Sequence, residues 1–469
     1  MRLYDSRTRA VETIRPRRAG LLAMYCCGPT VYRDAHVGNL RTFLLGDLIG
    51  RVATSEGLSV RTVQNITDVG HMVQDADIDP TGEDKVLAQA RAEGRSALDI
   101  ARHYEAGFHR DLGRLGIRPA IAYPRASESI DLMHELIEEL MAAGHAYVGT
   151  THTVFFDAQS FPDYGAISGN RLDSLKPGHR FEHELDAGKR FHADWALWKA
   201  ADPARREMVW DSPWGWGFPG WHIECSAMSI RLLERSVDVH VGGIDLRFPH
   251  HENERAQSNA ATGQEVVQHW VHGEHLLFEG RKMAKSTGNV ILLDDIVAAG
   301  HDPLALRLAF LEHRYRAQLN LTWATIGGAD RTLARWRSAV AGWAESPSRP
   351  APEPLRTEIA ERFADDLDTA GALRLLRQAE KGAGIDPGAK FELFAAVDAV
   401  LGLDLTRDIG KAGSSASQSL PDGATDLLQR RDAARTAKDW ATSDELRDEL
   451  AKLGIKVIDT ADGQQITVG

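Results

Sequence analysis

Apolar and polar positions at the start of the chain follow the period of a strand, then of a helix, then of a strand. The segment Leu21–Cys27 is almost entirely apolar and ends at a Gly-Pro pair. Apolar residues then recur every three or four positions across residues 36–57, and Ser59–Ile66 is again rich in β-branched side chains. This order predicts a β-α-β unit of a parallel sheet.

A second strand-to-helix pattern occurs much later in the chain. The apolar run Val237–Gly243 predicts a strand, and a helical pattern begins near His250. Between the two units lie a helical stretch at roughly residues 85–145 and an aromatic-rich, β-like segment that includes Val154–Phe156 and Trp195–Trp216. We therefore predict an α/β fold in which a nucleotide-binding parallel-sheet core is split by an insertion.

The last third of the chain has a different pattern. Past Trp323 it is dominated by Ala/Leu/Arg helices with no further strand-helix alternation. Residues 345–354 are rich in proline and residues 410–424 in glycine and serine, and both compositions are typical of linkers. We predict six segments: first half of the core, 1–120; insertion, 121–219; second half of the core, 220–322; helical domain, 323–409; linker, 410–424; small C-terminal module, 425–469.

Composition narrows the class of protein. The 469 residues are 43% hydrophobic and 26% charged, as in ordinary soluble proteins. No apolar run reaches the roughly 20 residues that span a bilayer, and Met1–Asp5 lacks the apolar segment of a signal peptide. We therefore expect a cytoplasmic protein with no membrane partner.

Charge and cysteine content argue against general binding of nucleic acid and against a disulfide framework. The formal net charge of −12 gives no general attraction to nucleic acid, so any RNA binding must come from local patches. Three cysteines, two of them adjacent, do not form a disulfide framework and fit a reducing compartment.

Four side chains could form a metal site. Cys27 ends the first strand, Cys225 lies in a distant segment, and His250 and Glu254 are four residues apart, which places them on one face of a helix. Two thiolates, an imidazole and a carboxylate make a tetrahedral zinc set. The alternative is two buried cysteines beside a polar helix start, because the four residues come from three distant segments.

Two short motifs could bind phosphate. Residues 36–39, His-Val-Gly-Asn, put an imidazole and an amide at a turn just before a helix N-terminus. Lys282 and Lys285 lie three apart on a loop bounded by glycine and could hold a triphosphate. Each motif alone also fits a simple structural role, as a helix start and as a solvated lysine pair.

The conjunction of these motifs in this order resembles the cysteinyl-tRNA synthetases, and the resemblance runs essentially from end to end. The thirteen residues that end at Glu254 are the most specific part of it. The segments that carry the resemblance are residues 24–32, 36–39, 65–68, 220–228, 242–254, 282–286, 315–320 and 438–459.

The resemblance implies a class I synthetase with a Rossmann-type core and two signature loops around ATP and its Mg²⁺. It implies that the zinc ligands are Cys27, Cys225, His250 and Glu254, and that Thr67, Trp221 and His240 line the amino acid pocket. In the first signature, His36 and Asn39 are catalytic and bind ATP, and Asp245 is a further ATP contact. In the second signature, Lys282 and Lys285 are catalytic, and Lys285 also binds ATP. It also implies that the C-terminal module binds the anticodon of tRNA(Cys).

The C-terminal module offers two features for RNA. Arg431, Arg435 and Lys438 are spaced to share one helical face, and Trp440 could stack on a base. A salt-bridged surface helix is the alternative interpretation.

We therefore expect ATP-dependent ligation of L-cysteine to tRNA(Cys) through a cysteinyl-adenylate, by a zinc-containing monomer. One departure from the family pattern is Ala284, which replaces a common serine in the lysine loop. Two alternatives are the cysteine ligase of mycothiol biosynthesis, which uses an aminosugar acceptor, and a non-catalytic paralogue that binds zinc or RNA. Glu254, as a fourth ligand, and the 64 residues after Leu405 weigh against the aminosugar ligase.

Overall fold

The computed structural model describes residues 1–70, 84–175, 188–283, 289–411, 423–437, 439–460 and 463–468. Up to the end of the insertion, the elements in chain order are β1 (Arg2–Asp5), β2 (Ala10–Thr13), β3 (Leu21–Cys26), α1 (Val37–Ser55), β4 (Ser59–Gln64), α2 (Lys85–Glu93), α3 (Ala97–Arg114), α4 (Ile130–Ala142), β5 (Ala146–Val148), β6 (Val154–Phe156), β7 (Trp195–Ala200) and β8 (Gly217–Pro219).

The second half of the core and the C-terminal part follow. The core continues with α5 (Trp221–Leu232), β9 (Val237–Gly243), α6 (His250–Thr262), β10 (Val267–Gly273), β11 (Leu276–Phe278), β12 (Arg281–Lys282), α7 (Leu293–Ala298), α8 (Pro303–Leu311) and β13 (Leu319–Leu321). The C-terminal part contains α9 (Trp323–Trp343), α10 (Glu353–Ala364), α11 (Thr369–Lys381), α12 (Pro387–Leu401), α13 (Ala424–Thr436), α14 (Trp440–Lys452), β14 (Ile455–Thr460) and β15 (Gly463–Val468).

A four-stranded parallel sheet forms the core, in the order β10-β9-β3-β4. Helix α1 connects β3 to β4, and α6 connects β9 to β10, so both halves are β-α-β units. Leu40, Leu44 and Leu48 are buried at four-residue spacing along α1, which is the spacing that predicted this helix. The α/β fold with a split parallel-sheet core is confirmed.

The insertion forms a separate antiparallel sheet, β5-β6-β7-β8. Its interior is aromatic, and Phe156 stacks on Trp195 with ring centroids 4.4 Å apart. Residues 122–124 still run alongside β4 and the residues that follow it. The backbone N–H of Gln64 donates to the Ala122 carbonyl (3.1 Å), and that of Ile66 donates to the Pro124 carbonyl (2.8 Å). The core sheet thus keeps contact with the chain slightly past residue 120.

A hairpin of β1 and β2 precedes the core and had no counterpart in the hydrophobic pattern. Helices α9 to α12 follow the core, and α13 and α14 pack on the β14–β15 hairpin through Ala424, Leu450 and Ile455. Across the described residues, no helix combines the length and the apolar character needed to cross a membrane.

Candidate active site

The carboxyl ends of the parallel strands carry most of the candidate side chains. Cys27 directly follows β3, and its N–H still donates to the Val241 carbonyl of β9 (3.0 Å). Cys225 lies in the first half of α5, and His250 and Glu254 occupy the first turns of α6. The edge formed by strand ends is where open α/β sheets usually bind ligands.

The structure brings the four proposed metal ligands together. One ligand atom from each of Cys27, Cys225, His250 and Glu254 lies within 4.8 Å of the others, and all four residues are buried. The Sγ atom of Cys27 is 3.7 Å from Glu254 Oε1, which is 3.0 Å from His250 Nε2. Donors about 2.0–2.3 Å from a tetrahedral zinc ion lie about 3.3–3.8 Å apart, so the site fits zinc with only small adjustment.

The electrostatics of the cluster fit a cation. Burial raises the pKa of Glu254 well above its usual range, and burial together with Cys225 does the same for Cys27. Burial also acts to raise the pKa of Cys225, but its hydrogen bond with Cys27 and the nearby His250 lower that pKa to about 7. One oxygen of Glu254, Oε2, has no hydrogen-bond partner among the described residues. Buried acidic groups of this kind are stabilised as anions by a metal ion.

A second possible ligand set overlaps the first and was not predicted from the sequence. Cys27, His240, His251 and Glu254 also bring their ligand atoms within 4.8 Å of one another. His251 Nε2 is 3.3 Å from Cys27 Sγ, and its Nδ1 is 2.8 Å from His272 Nε2. The only sequence signal for this second set was the adjacent histidine, His251. Its side chain is buried as well as that of His250 because α6 is buried on several faces.

Of the three residues predicted to line the amino acid pocket, Trp221 and His240 contact this cluster. Thr67 lies just past β4 and is buried. The indole of Trp221 stacks on His250 with centroids 4.2 Å apart, and the ring of His240 stacks on Trp270 at 4.6 Å. His240 Nε2 is also 3.5 Å from Cys27 Sγ. A thiol that reached the cluster would therefore lie near the side chains of Trp221 and His240.

His36 and Asn39 form a reciprocal cap at the start of α1. The Asn39 N–H donates to His36 Nδ1, and the His36 N–H donates to Asn39 Oδ1, both at 3.2 Å. Burial and the nearby Arg33 guanidinium lower the pKa of His36 to about 4, so the ring is neutral at pH 7. Because Nδ1 accepts, the neutral ring carries its proton on Nε2. His36 Nε2 and Asn39 Nδ2 thus remain as two donors at a helix N-terminus, which suits an anion.

The second signature begins beside the first. A Cβ atom on Gly38 would lie 3.0 Å from the terminal methyl of Met283, so this part of the lysine loop touches the start of α1. Lys282 is exposed at the end of β12, and its carbonyl accepts from Asn289 Nδ2 at 3.1 Å. Lys285 and Ala284 lie outside the described residues.

Asp245, the further ATP contact that the resemblance implies, lies near His36. It lies in the short turn Ile244–Arg247 after β9, and its charge acts to raise the pKa of His36. A Cβ on Gly243 would lie 2.3 Å from Asp245 Oδ1, so the glycine allows the carboxylate to approach the strand end.

The structure of the C-terminal module corrects the prediction that Arg431 is part of a basic face for RNA. Arg431 is 1% exposed and donates to Gln464 Oε1 at 2.9 Å, so it supports the packing of α13 rather than an RNA surface. Its neighbour in the predicted basic face, Lys438, lies outside the described residues. Trp440 is 58% exposed, with the Arg435 guanidinium 5.9 Å from its ring centroid.

Comparisons with known proteins agree along the whole chain. A family model described as the class I (C) tRNA synthetase catalytic domain matches residues 13–330, and one described as the cysteinyl-tRNA ligase anticodon binding domain matches residues 417–466. The cysteine–tRNA ligase of Thermus thermophilus is 41% identical over 98% of this chain and 98% of its own. That of Salinibacter ruber is 38% identical over 99% and 97%.

The fold is also shared with a more distant synthetase. The methionyl-tRNA synthetase of Mycobacterium tuberculosis, in its complex with methionyl-adenylate, aligns with a TM-score of 0.56 and 15% identity over 81% of this chain and 90% of its own. At this identity the likeness concerns the fold alone. The matches over nearly the full length of both chains identify this protein as a member of the cysteine–tRNA ligase family of class I tRNA synthetases.

Proposed function

We propose that this protein ligates L-cysteine to tRNA(Cys), with ATP, through a cysteinyl-adenylate. The observation that carries the proposal is the convergence of Cys27, Cys225, His250 and Glu254 at the carboxyl edge of the parallel sheet. The sulfur-rich, buried donor set suits zinc and a substrate thiol. Family membership over the whole chain supports the same activity.

In the first step, the cysteine carboxylate attacks the α-phosphorus of ATP and pyrophosphate leaves. Negative charge grows on the phosphate oxygens, so oriented donors stabilise the transition state. His36 Nε2 and Asn39 Nδ2 are such donors, and the cap of α1 fixes both. Lys282 and Lys285 would add positive charge over the β and γ phosphates, with Mg²⁺ on the nucleotide and Asp245 as a further contact.

Selection of cysteine would rest on the metal site. A zinc ion held by the two thiolates, the imidazole and the carboxylate would lower the pKa of the substrate thiol and bind it as a thiolate, which serine cannot imitate at neutral pH. Thr67, Trp221 and His240 would then orient the rest of the amino acid. A site built to bind a required polar group can reject an analogue that lacks it by about 10⁴ to 10⁵ in kcat/KM, whereas shape alone discriminates by about 10 to 200. No editing step is needed at the larger ratio.

The acceptor is proposed to be tRNA rather than an aminosugar. Support comes from the C-terminal module, in which α13, α14 and the β14–β15 hairpin form a small unit with an exposed Trp440. An exposed indole beside a guanidinium is suited to stacking on an unpaired base. We further propose that the protein works as a cytoplasmic monomer.

The decisive experiment separates activation from transfer. Zinc-loaded protein is tested for cysteine-dependent exchange of pyrophosphate with ATP, and then for transfer of labelled cysteine to tRNA or to the aminosugar acceptor of mycothiol synthesis. Exchange followed by transfer to tRNA alone is expected. Absence of exchange would favour the non-catalytic paralogue, and transfer only to the aminosugar would favour the mycothiol ligase.

A further inference from the structure

The hairpin that precedes the core is attached to an edge strand of the parallel sheet. The Ser6 N–H, just past β1, donates to the Trp270 carbonyl of β10 (2.9 Å), and the Trp270 N–H donates to Asp5 Oδ1 (3.2 Å). The Ser6 side chain is buried between the hairpin and the sheet. Because these two hydrogen bonds hold its backbone against β10, the Ser6 hydroxyl has a defined position beside the sheet.

A row of buried side chains leads from this hydroxyl to the metal cluster. Ser6 Oγ is 2.7 Å from His272 Nδ1, and His272 Nε2 is 2.8 Å from His251 Nδ1. His251 Nε2 is in turn 3.3 Å from Cys27 Sγ, whereas the Oε1 atom of Glu254 is farther from it, at 3.9 Å. The row therefore connects the N-terminal hairpin to a proposed zinc ligand through two imidazoles.

The charge of Cys27 in the proposed zinc site sets the direction of each hydrogen bond in the row. A cysteine that binds zinc is a thiolate and can only accept, so His251 must carry a proton on Nε2. Burial lowers the pKa of His251 well below its usual value and that of His272 to about 3, so both rings are neutral at pH 7 and each holds one proton. His251 Nδ1 therefore accepts from His272 Nε2, and His272 Nδ1 accepts from the Ser6 hydroxyl.

The opposite direction would follow if His251 itself bound the metal, as in the second possible ligand set. Its Nε2 would then offer a lone pair to the ion, its Nδ1 would donate to His272, and Ser6 would accept. Each of the two ligand sets thus requires its own arrangement of protons in the row. Two thiolates suit zinc better than one, which favours the arrangement in which His251 donates to Cys27.

The ring of His251 is held against a strand that has no side chain at the point of contact. A Cβ on Gly242 of β9 would lie 2.5 Å from His251 Cε1 and 2.8 Å from its Nε2. Glycine there lets the imidazole lie on the strand end with Nε2 toward Cys27. His240 differs, because its Nε2 is 3.5 Å from the same sulfur but its Nδ1 has no hydrogen-bond partner in the part of the chain that the structure describes.

We propose that Ser6 and His272 are positioning residues that hold His251 as a hydrogen-bond donor to the Cys27 thiolate. Such a donor stabilises the thiolate relative to the thiol, and metal binding at neutral pH is stronger when the ligand is already deprotonated. The inference rests on the zinc site of the proposed function. It gives the N-terminal hairpin, which lies outside the parallel sheet, a role in metal binding.

The first measurement is the zinc affinity of the full-length protein in competition with a chromophoric chelator. Ser6→Ala removes the first donor of the row and is expected to raise the zinc dissociation constant about 10-fold, and His272→Phe about 100-fold, the range for residues that support a metal ligand. Ser6→Thr keeps the hydroxyl and is expected to stay near the wild type. Ser129→Ala is the matched control, since Ser129 is as buried as Ser6 (both 6% exposed) and donates to the Arg125 carbonyl (2.8 Å) just before α4.

A spectroscopic measurement separates this role from packing. With Co²⁺ in place of zinc, the sulfur-to-metal charge-transfer band is expected to move to longer wavelength in Ser6→Ala and His272→Phe, because the sulfur lone pairs rise in energy when a hydrogen bond is lost. The band is expected to stay in place in Ser6→Thr and Ser129→Ala. Melting temperatures are measured for every variant, so a folding defect is recognised independently of metal binding.

The direction of the row is tested by NMR of zinc-loaded protein labelled with ¹⁵N at histidine. His251 and His272 are both expected to carry their proton on Nε2, and their signals are assigned from His251→Gln and His272→Phe. A proton on Nδ1 of His251 would overturn the inference, because Nε2 could then not donate to Cys27.

A second result would also overturn the inference, namely a charge-transfer band that stays in place in both Ser6→Ala and His272→Phe, whatever their zinc affinity. It would mean that these residues act through packing alone or have no part in the site. Wild-type protein that binds no zinc or lacks cysteine-dependent exchange would instead contradict the proposed function, so the two failures are distinguishable.

Discussion

At the scale of single residues, the metal site presents a choice between two sets of four ligands. Both sets contain Cys27 and Glu254, and they differ in whether Cys225 and His250 or His240 and His251 complete the site. Two thiolates favour zinc more strongly than one, because zinc binds soft sulfur ligands well. The set with Cys225 is also the one predicted from the sequence.

Substitution of one residue from each set decides between them. Cys225→Ser is expected to reduce zinc affinity by at least about 10- to 100-fold, the range found even for residues that only support a ligand. His251→Gln is expected to keep one zinc per chain. Zinc in the purified variants is measured by atomic emission, with Cys26→Ser as control, since Cys26 is buried beside Cys27 but belongs to neither set. The reverse pattern, with zinc retained by Cys225→Ser and lost by His251→Gln, would assign the site to the other set.

A second residue-scale prediction separates the two roles of Asn39. In Asn39→Asp, one carboxylate oxygen can still accept from the His36 N–H, so the cap of α1 is kept. The donor Nδ2 is replaced by a negative oxygen at the proposed phosphate site. We expect the rate of pyrophosphate exchange to fall by about 10² to 10³, as when one transition-state donor is removed.

The matched measurement for this variant is thermal unfolding. The melting temperature of Asn39→Asp should stay close to that of the wild type, because the capping hydrogen bond survives. A large drop in melting temperature that accompanies the loss of activity would show that Asn39 acts through the helix and not through the nucleotide.

At the scale of elements, the connection after β3 depends on one glycine. Gly28 passes so close to the chain after β4 that a Cβ would lie 1.6 Å from the Asn65 carbonyl oxygen. No L-residue with a side chain fits there without separating β3 from β4. The proposed metal ligand Cys27 precedes this contact directly, so the same close approach holds Cys27 at the strand end.

Gly28→Ala is therefore expected to destabilise the protein by more than about 2 kcal/mol, the scale of overpacking in a closely packed interior. The measurement is the urea concentration at the midpoint of unfolding. Gly342→Ala is the control, because Gly342 lies in the last turn of α9 with open space where the alanine methyl group would sit, and alanine there should stabilise the helix by at most about 0.5–1 kcal/mol. Equal effects of the two substitutions would contradict the steric argument.

The elements also show what the sequence could predict and where it failed. The pattern of apolar and β-branched residues was sufficient to predict β3, α1, β4 and β9, because each of these elements packs against the core. The i, i+4 spacing of His250 and Glu254 was enough to place these two side chains together. The convergence of Cys27 and Cys225 on that pair depends on contacts between segments far apart in the chain, which no local period reports, and it came from resemblance to a family.

The features that the sequence did not predict have equally physical causes. The β1–β2 hairpin has only four residues per strand, too few for a distinct period. Arg431 shares a helical spacing with Arg435, but its guanidinium donates internally to Gln464, a pairing set by the fold of the module. Charge alone therefore predicted an exposed face that the tertiary structure partly buries.

At the scale of the whole molecule, arginines join the helical domain to the core. Arg307 of α8 is fully buried, donates to Asp47 of α1 (2.7 Å) and also donates to the Leu401 carbonyl at the end of α12 (2.5 Å). Arg51 of α1 donates to the same carboxylate (2.8 Å) and to the Ala399 carbonyl near the end of α12 (2.9 Å). Helix α1, which begins at the proposed nucleotide site, thus ends in contacts that join it to the helical domain, and we call this set of arginine contacts the clamp.

Arg307→Met tests this clamp, because methionine fills much of the same volume without the charge. The substitution leaves buried carbonyls without donors and removes one of the two arginines that neutralise Asp47. We expect a loss of about 3–5 kcal/mol of stability, the range for breaking one side of a buried ion pair. The measurement is urea unfolding followed by circular dichroism and by hydrogen exchange of peptides from α9, because only three of the eleven tryptophans lie in this helix and fluorescence would not report it alone.

Arg356→Met is the control for Arg307→Met, because Arg356 forms an exposed pair with Glu353 at 3.1 Å and should contribute no more than about 1 kcal/mol. If the clamp couples the two parts, Arg307→Met should also make the exchange transition of α9 precede the loss of the core, since α9 would detach first. Coincident transitions with an unchanged midpoint would mean that apolar packing alone joins the helical domain to the sheet. A split transition would locate the coupling in the arginine contacts between α1, α8 and α12.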